Sequence, residues 1–206
     1  MRSTNNQRVN PDMIDAIFDV SGEMPAATYP FDLWKALVRH APDLDNDDSI
    51  GVIPLRGSSS ASGMSLPKRA KLTLRLPSSL AGHADQLSGR QLALDGGTLQ
   101  LGTHKLRPIQ AYPTLHAHLV CTDEAEVDFI KSVTTRLNEL GVVGNLICGL
   151  RNHITSPART LQGYSLVVHD LKPDSSLRLQ YLGLGTDRRY GCGIFVPYKA
   201  ITDLDS

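Results

Sequence analysis

The sequence predicts an α+β fold built from two consecutive β-α-β-β-α-β units, and three observations predict it. Period-two alternation of apolar and polar residues marks strands in both halves of the chain. A stripe at helical spacing follows the first strand of each half. The order of elements then repeats after roughly 90–100 residues.

In the first half, Met13–Val20 alternates around Asp15 and Asp19 and reads as a half-buried strand. Pro30 opens a helix whose stripe is Phe31, Trp34, Leu37, Val38 and Ala41, and Pro42 stops it. Core packing accounts for Phe31 and Trp34 better than base stacking does. Asp43–Ser49 is an acidic loop, Ile50–Leu55 a short strand, and Gly57–Gly63 (GSSSASG) a hairpin tip or mobile loop. Lys68–Leu76 sets Lys71, Thr73 and Arg75 against Leu72, Leu74 and Leu76, a strand with one basic and one apolar face. Pro77–Gln86 suits a short helix, and Gln91–Leu94 and Thr98–Leu101 flank the hairpin signal Asp95-Gly96-Gly97.

The second half starts with the strand Thr114–Cys121. A helix follows over Asp123–Leu140, with Val127, Ile130, Val133 (or Thr134) and Leu137 as its stripe and Gly141 as its stop. Asn145–His153 and Gln162–His169 are strands, Pro173–Leu182 is a helix, and Ile194–Pro197 is a closing strand. Each half therefore has the ferredoxin-like order, with a first domain at 12–108 and a second at 109–200.

Of the 206 residues, 41% are hydrophobic and 20% charged, which suits a globular chain and excludes a disordered one. No apolar run reaches the ~18 residues of a membrane span, and Met1–Asn10 is polar, so neither an anchor nor a secretory signal is expected. Cys121, Cys148 and Cys192 are too few and too widely spaced for a disulfide framework or a zinc site. A cytoplasmic protein with free thiols and no membrane partner is expected.

The formal net charge of zero conceals a segregation. Residues 1–50 carry net −5, residues 51–122 net +6 and residues 123–206 net −1. Screening confines each field to about 8–10 Å, so a local positive surface is enough to attract a polyanion. Solvated strand edges also use Lys and Arg for solubility, so charge alone does not decide.

The most specific local feature is Gly183–Gly193, with four glycines (Gly183, Gly185, Gly191, Gly193) and Arg188-Arg189-Tyr190 at its centre. Glycines permit positive φ and close approach of the backbone to a ligand, and successive amides can form an anion nest. No Gly-Lys-Ser/Thr follows, and no strand-to-helix context surrounds it, so it is neither a Walker loop nor a dinucleotide fingerprint. Binding of a phosphate backbone explains the arginines at the apex better than a purely structural turn does.

The segment Ser176–Pro197 (SLRLQYLGLGTDRRYGCGIFVP) resembles the C-terminal glycine-rich loop of the sixth Cas family, the CRISPR-associated repeat-RNA-processing endoribonucleases of the RAMP superfamily. It is most similar to their MYXAN-subtype branch. Gly163–Val168, Gly51–Gly57 (GVIPLRG), Ala36–Arg39 with Pro42, Leu66–Pro77 and Thr114–Val120 fit as well, so the resemblance spans most of residues 24–197. It implies tandem ferredoxin-like (RRM/RAMP) domains. It also implies an enzyme that binds a repeat hairpin and cuts pre-crRNA on its 3′ side without metal or cofactor. The 2′-OH attacks the adjacent phosphate, leaving a 2′,3′-cyclic phosphate and a 5′-OH. The implied partners are the crRNA hairpin and other Cas subunits of a surveillance complex.

The chain departs from the family pattern at two places. Thr28-Tyr29 stands where a histidine is expected at the start of the first helix, and Ile53 stands where a histidine would precede Pro54. Tyr29 and His40 are the candidate catalytic residues, although a phenol of ordinary pKa near 10 is a poor base at pH 7. His40 also lies ~16 Å along the helix from Tyr29. The alternative is a hairpin-binding subunit that cleaves weakly or not at all.

The candidate RNA contacts are Arg56, Lys68, Arg69, Lys71 and Arg75, then His104, Lys105 and Arg107 in a basic turn, and the glycine loop with Arg188, Arg189 and Tyr190. Such contacts read the shape and backbone of an A-form stem. His116 and His118, two apart on one strand, suit RNA or metal less well than a structural role. His83, His153 and His169 carry no distinguishing context.

Overall fold

The computed structural model describes residues 12–24, 29–55, 58–60 and 63–198. The first half runs β1 (Met13–Met24), α1 (Tyr29–His40), a 3-10 turn at Pro42–Asn46, β2 (Gly51–Ile53), β3 (Ser58–Ser60), β4 (Gly63–Ser65), β5 (Lys71–Pro77), a 3-10 stretch at Ser78–Leu87, β6 (Gln91–Leu94) and β7 (Gly97–Pro108). The second runs β8 (Leu115–Cys121), α2 (Glu126–Glu139), β9 (Asn145–Thr155), β10 (Thr160–His169), α3 (Pro173–Leu182) and β11 (Val196–Pro197).

Two antiparallel sheets result. In the first, β2-β5-β1-β7 lie side by side, β6 pairs the outer edge of β7, and the β3–β4 hairpin pairs the far end of β1. In the second the order is β11-β8-β10-β9. Counting four principal strands per half, the orders are 2-3-1-4 and 4-1-3-2, the ferredoxin-like arrangement twice, read from opposite edges. The GSSSASG segment contributes a strand, Ser58–Ser60, to a hairpin.

Each sheet buries one face. Ala16, Phe18, Leu72, Leu74 and Leu76 meet Leu33, Trp34 and Leu37 of α1 in the first core. The period-two pattern of β5 and the helical spacing of α1 put these residues on facing surfaces. The second core joins Leu115, Ala117, Leu166 and Val168 to Phe129, Val133 and Leu137 of α2 and Leu179 of α3. A third cluster lies between the halves, where Phe31 packs with Leu119, Leu161 and Cys192. Phe31 is thus a contact between domains as well as a helix-stripe residue.

Three elements differ from expectation. Ser78–Leu87 is 3-10, with only Ala84 and Leu87 buried, because no apolar stripe holds an α-helix there. The start of α2 falls at Glu126, because the Thr122 hydroxyl accepts the Glu124 amide and fixes a turn first. Its buried stripe is Phe129, Val133 and Leu137, while Val127 is exposed. Finally, β7 continues to Pro108, so His104, Lys105 and Arg107 belong to a strand rather than a turn.

Candidate functional site

The start of α1, the exit of β2, two strands of the second sheet and the glycine loop converge on a cleft of about 270 Å³ between the halves. Tyr29 and Pro30 come from α1, Pro54 from the segment after β2, and His118 and Leu119 from β8. The end of β9 contributes His153, Ile154 and Thr155, and the glycine loop contributes Tyr190, Gly191 and Cys192.

A register slip shapes this wall. On β10, Tyr164 pairs Val120 and Arg151, whereas Leu166 pairs Ala117 and Cys148. Ser165 therefore faces two residues on each neighbour, among them His118 and Leu119. Such bulges bend a strand and re-aim its side chains. The Asn152 side-chain amide donates to the His118 carbonyl at 3.4 Å, tying β9 to β8 beside the slip. His116 takes a different place, its ring 5.8 Å from that of Tyr198.

Tyr29 stands at the cleft edge of α1. Burial pushes its phenol up to about 12, against a smaller opposing effect of the hydrogen bond with the Leu55 backbone. The hydroxyl is protonated at neutral pH and suits a hydrogen-bond donor, not a base. His40, the other candidate, is at the far end of α1 and off the cleft wall. On the opposite wall Tyr190 packs its ring 4.7 Å from Phe31, with Arg159 6.0 Å above it. The hydrogen bond with Cys121, then burial, hold the Cys192 thiol high, so it is no nucleophile at neutral pH.

The glycine loop is bound up with its surroundings. Its amides at Leu184, Tyr190, Gly191, Cys192 and Gly193 donate to Gly193, Asp187, Arg188, Asp187 and Leu119 carbonyls respectively. A Cβ on Gly193 would lie 1.9 Å from the Leu184 oxygen, and one on Gly183 2.1 Å from Arg188 Nη1. Gly191 brings its backbone against Pro54 on the cleft wall, while Gly185 lies in the more open part of the loop. Close packing requires much of this glycine pattern, and these amides do not form the open anion nest that the pattern suggested.

Several expected RNA contacts are corrected by their surroundings. Arg75 is only 1% exposed. Its Nε and Nη2 donate to both Asp15 carboxylate oxygens (2.8 and 3.0 Å), and its Nη1 donates to the carbonyls of Phe195 (2.7 Å) and Gln180 (3.3 Å). It shares the polar face with Lys71, but the second domain covers that part of the sheet. Arg188 is buried too and donates Nε to the Ser49 carbonyl at 2.9 Å. Burial, then the charge of Arg75, pull its pKa down to about 10. Arg189 donates to Asp45 at 2.7 Å and to Asp48, and lies 5.4 Å above the Trp34 ring. The acidic loop after α1 thus neutralises the loop arginine expected to meet phosphate. His104 is hydrogen-bonded to Ser88 Oγ at 2.9 Å and its ring is 5.4 Å from that of Phe18. One residue out of phase with Lys105 and Arg107, it faces the other side of β7.

The remaining cations form a different surface. Lys68, Arg69, Lys105 and Arg107 are exposed and make no ion pair with another described residue, whereas Lys71 pairs Asp19. That hydrogen bond and charge hold the Asp19 carboxyl below its usual range. Arg56 lies outside the described residues. Among the described residues, no group of three or more His, Cys, Asp or Glu is placed to hold a metal ion, and no helix is long and apolar enough to cross a membrane.

The sequence alone does not show that His118 and His153 line one cleft. The alternation around His118 was visible, but two facts were not. One is the slip on β10. The other is the docking that brings β9 and the glycine loop to the same cleft as Tyr29.

Comparisons with known proteins agree with this architecture. The chain is 32% identical over 186 residues to the CRISPR-associated endonuclease Cas6 of Myxococcus xanthus strain DK1622, covering 89% of this chain and 81% of the relative. A solved RAMP protein that binds different RNA substrates superposes with a TM-score of 0.65 at 8% identity, covering 88% of this chain and 98% of that one. A Cas6-related protein of Pyrococcus furiosus gives 0.61 at 10% identity, covering 93% and 99%. At such identities the two structures speak to fold alone, and both share the two-domain arrangement. The family model described as Cas6 Crispr matches residues 14–200, and with these strands, this cleft and this glycine loop the chain belongs to the Cas6 family.

Proposed function

We propose that this protein is an endoribonuclease that binds the hairpin of a CRISPR repeat and cuts on its 3′ side by internal transesterification, without a metal. The observation that carries this reading is the cleft between the domains, which residues of α1, β8, β9 and the glycine loop line together. The Myxococcus relative is named as an endonuclease. The reaction needs a base at the 2′-OH, an acid at the departing 5′-oxygen, and donors to the phosphorane oxygens. Tyr29, held protonated by burial, supplies such a donor.

The exposed cations supply a track for the stem. Ile53, Thr73, Ile17 and Lys105 pair successively across β2, β5, β1 and β7. Three strand spacings place Lys105 ~14 Å from the edge where Pro54 enters the cleft wall. Arg107 follows on the same face two residues on, and Lys68 and Arg69 precede β5. An A-form stem presents its phosphates over such distances and is read through them. After cutting, the protein stays on the crRNA hairpin as a subunit of an effector complex.

The test is incubation with the cognate repeat RNA in EDTA, with the ends analysed. Fragments ending in 2′,3′-cyclic phosphate and 5′-OH support the reading. Tight binding of RNA that stays intact favours a hairpin-binding subunit instead, the role that Tyr29 in place of a histidine would suit.

A further inference from the structure

Two of the three cysteines stand together. Cys121 ends β8, Cys192 lies in the glycine loop, and their side chains are hydrogen-bonded to each other. Both belong to the cluster between the halves, with Cys192 buried and Cys121 half-buried. Beside them the loop backbone is pinned to the strand, where the Gly193 amide donates to the Leu119 carbonyl at 2.7 Å. Cys148 is elsewhere. It packs against the second core and pairs Leu166 on β10, the strand that separates β9 from β8. Two strand spacings, ~9.6 Å, thus lie between Cys148 and β8, beyond the ~7 Å between Cα atoms that a disulfide can span.

We propose that Cys121 and Cys192 form a modification site, a dithiol that hydroperoxides convert to a disulfide joining β8 to the glycine loop. The two sulfurs take different parts. The Cys192 thiol keeps its proton and donates it to the Cys121 sulfur. That bond pulls the Cys121 pKa below the ordinary thiol range, with help from Arg159 and against burial and the charges of Asp187 and Asp123. The thiolate is the form that attacks peroxide, so Cys121 reacts first. The bond with Cys121 is also the largest cause of the high Cys192 pKa. Oxidation of Cys121 ends that hold on the Cys192 proton and readies the second sulfur.

The chemistry balances with the hydroperoxide as oxidant. The Cys121 thiolate forms an S–O bond to the terminal peroxide oxygen as the O–O bond breaks, and the departing oxygen takes a proton from water. Cys121 is then a sulfenic acid, oxidised by two electrons, and the peroxide is reduced to an alcohol or water. The Cys192 sulfur next attacks that of Cys121. The S–S bond forms, the S–O bond breaks, and the leaving hydroxide departs as water with the Cys192 proton. The link fixes to β8 a loop whose Tyr190 already packs on Phe31 and whose Gly191 packs on Pro54. This site does not depend on the endoribonuclease reading.

Peroxide treatment of the folded full chain tests the proposal, followed by alkylation of the remaining thiols and peptide mapping by mass. The expected product has lost two hydrogens in one link between the Cys121 and Cys192 peptides, reversible by dithiothreitol, with Cys148 alkylated. C192S is expected to stop at a Cys121 sulfenic acid that dimedone labels, and C121S to leave Cys192 a thiol. The parent's map decides the matter whether or not these variants fold. Three free thiols at a peroxide dose that oxidises the chain unfolded in urea would overturn the proposal. So would a link through Cys148, or a parent in which Cys121 passes to the sulfinic acid with Cys192 still a thiol.

Discussion

Arg75 ties the two domains together in the arrangement that makes the cleft. Its guanidinium is buried, engages both oxygens of Asp15 within the first sheet, and reaches the carbonyls of Gln180 and Phe195 in the second half. Arg75→Met keeps most of the volume and removes every donor. Asp15, with a side chain 15% exposed, is left as a nearly buried carboxylate without its partner. Breaking a buried pair in this way costs about 3–5 kcal/mol. At about 2–4 °C per kcal/mol for a chain of this size, Tm is expected to fall by about 6–20 °C. The second change, Asp15→Leu, removes the stranded charge, so the double variant is expected to regain at least about 1 kcal/mol of the loss. Two carbonyls remain unpaired, at about 1–3 kcal/mol each, so recovery is incomplete. Urea unfolding followed by Trp34 fluorescence reports the first domain, and far-UV circular dichroism reports both. The two curves are expected to coincide in the parent and to separate in Arg75→Met. A Tm loss under about 2 °C with coincident curves would refute the idea that Arg75 couples the domains.

Two further outcomes follow from the electrostatics. Replacing Lys105 and Arg107 by Ala is expected to weaken hairpin binding about equally for all stem sequences and to reduce the slope of log K against log salt by about one per lost phosphate contact. Unchanged affinity and slope in a filter-binding titration would remove these cations from the RNA track. For Tyr29, the folded pKa of about 12 exceeds the ordinary 10, so the folded state holds the proton more tightly. That contribution to stability is complete below pH 10 and is lost as pH rises towards 12. Tyr29→Phe is expected to flatten the alkaline loss of stability over that window, measured by urea unfolding at stepped pH; an identical pH dependence in both proteins would show that the phenol does not titrate there.

The strands were legible because alternation is a local property. Leu72, Leu74 and Leu76 against Lys71, Thr73 and Arg75 give the two faces of β5 directly. Which part of the polar face stays in water is not local, since it depends on where the second domain docks. That is why Arg75 looked like a neighbour of Lys71 and is instead a buried tie. Arg188 and Arg189 were likewise visible as cations, while the carboxylates of Asp45 and Asp48 that face Arg189 come from more than 140 residues earlier in the chain. Phase explains His104, which alternation sets opposite Lys105. The histidines of the cleft were hidden for the same reason as Arg75. His118 and His153 come to line one cleft only through the register slip and the docking of the two halves, which leave no mark in the hydrophobic pattern.

By this reading the RNA is cut in the cleft between the domains. The direct measurement is the structure of the protein with its repeat hairpin, made uncleavable by a 2′-deoxy nucleotide at the cut site. The expected result is a scissile phosphate in the cleft beside the Tyr29 hydroxyl, with the stem lying over Lys105 and Arg107. A scissile phosphate at the His40 end of α1, or a stem bound away from the cleft, would contradict it.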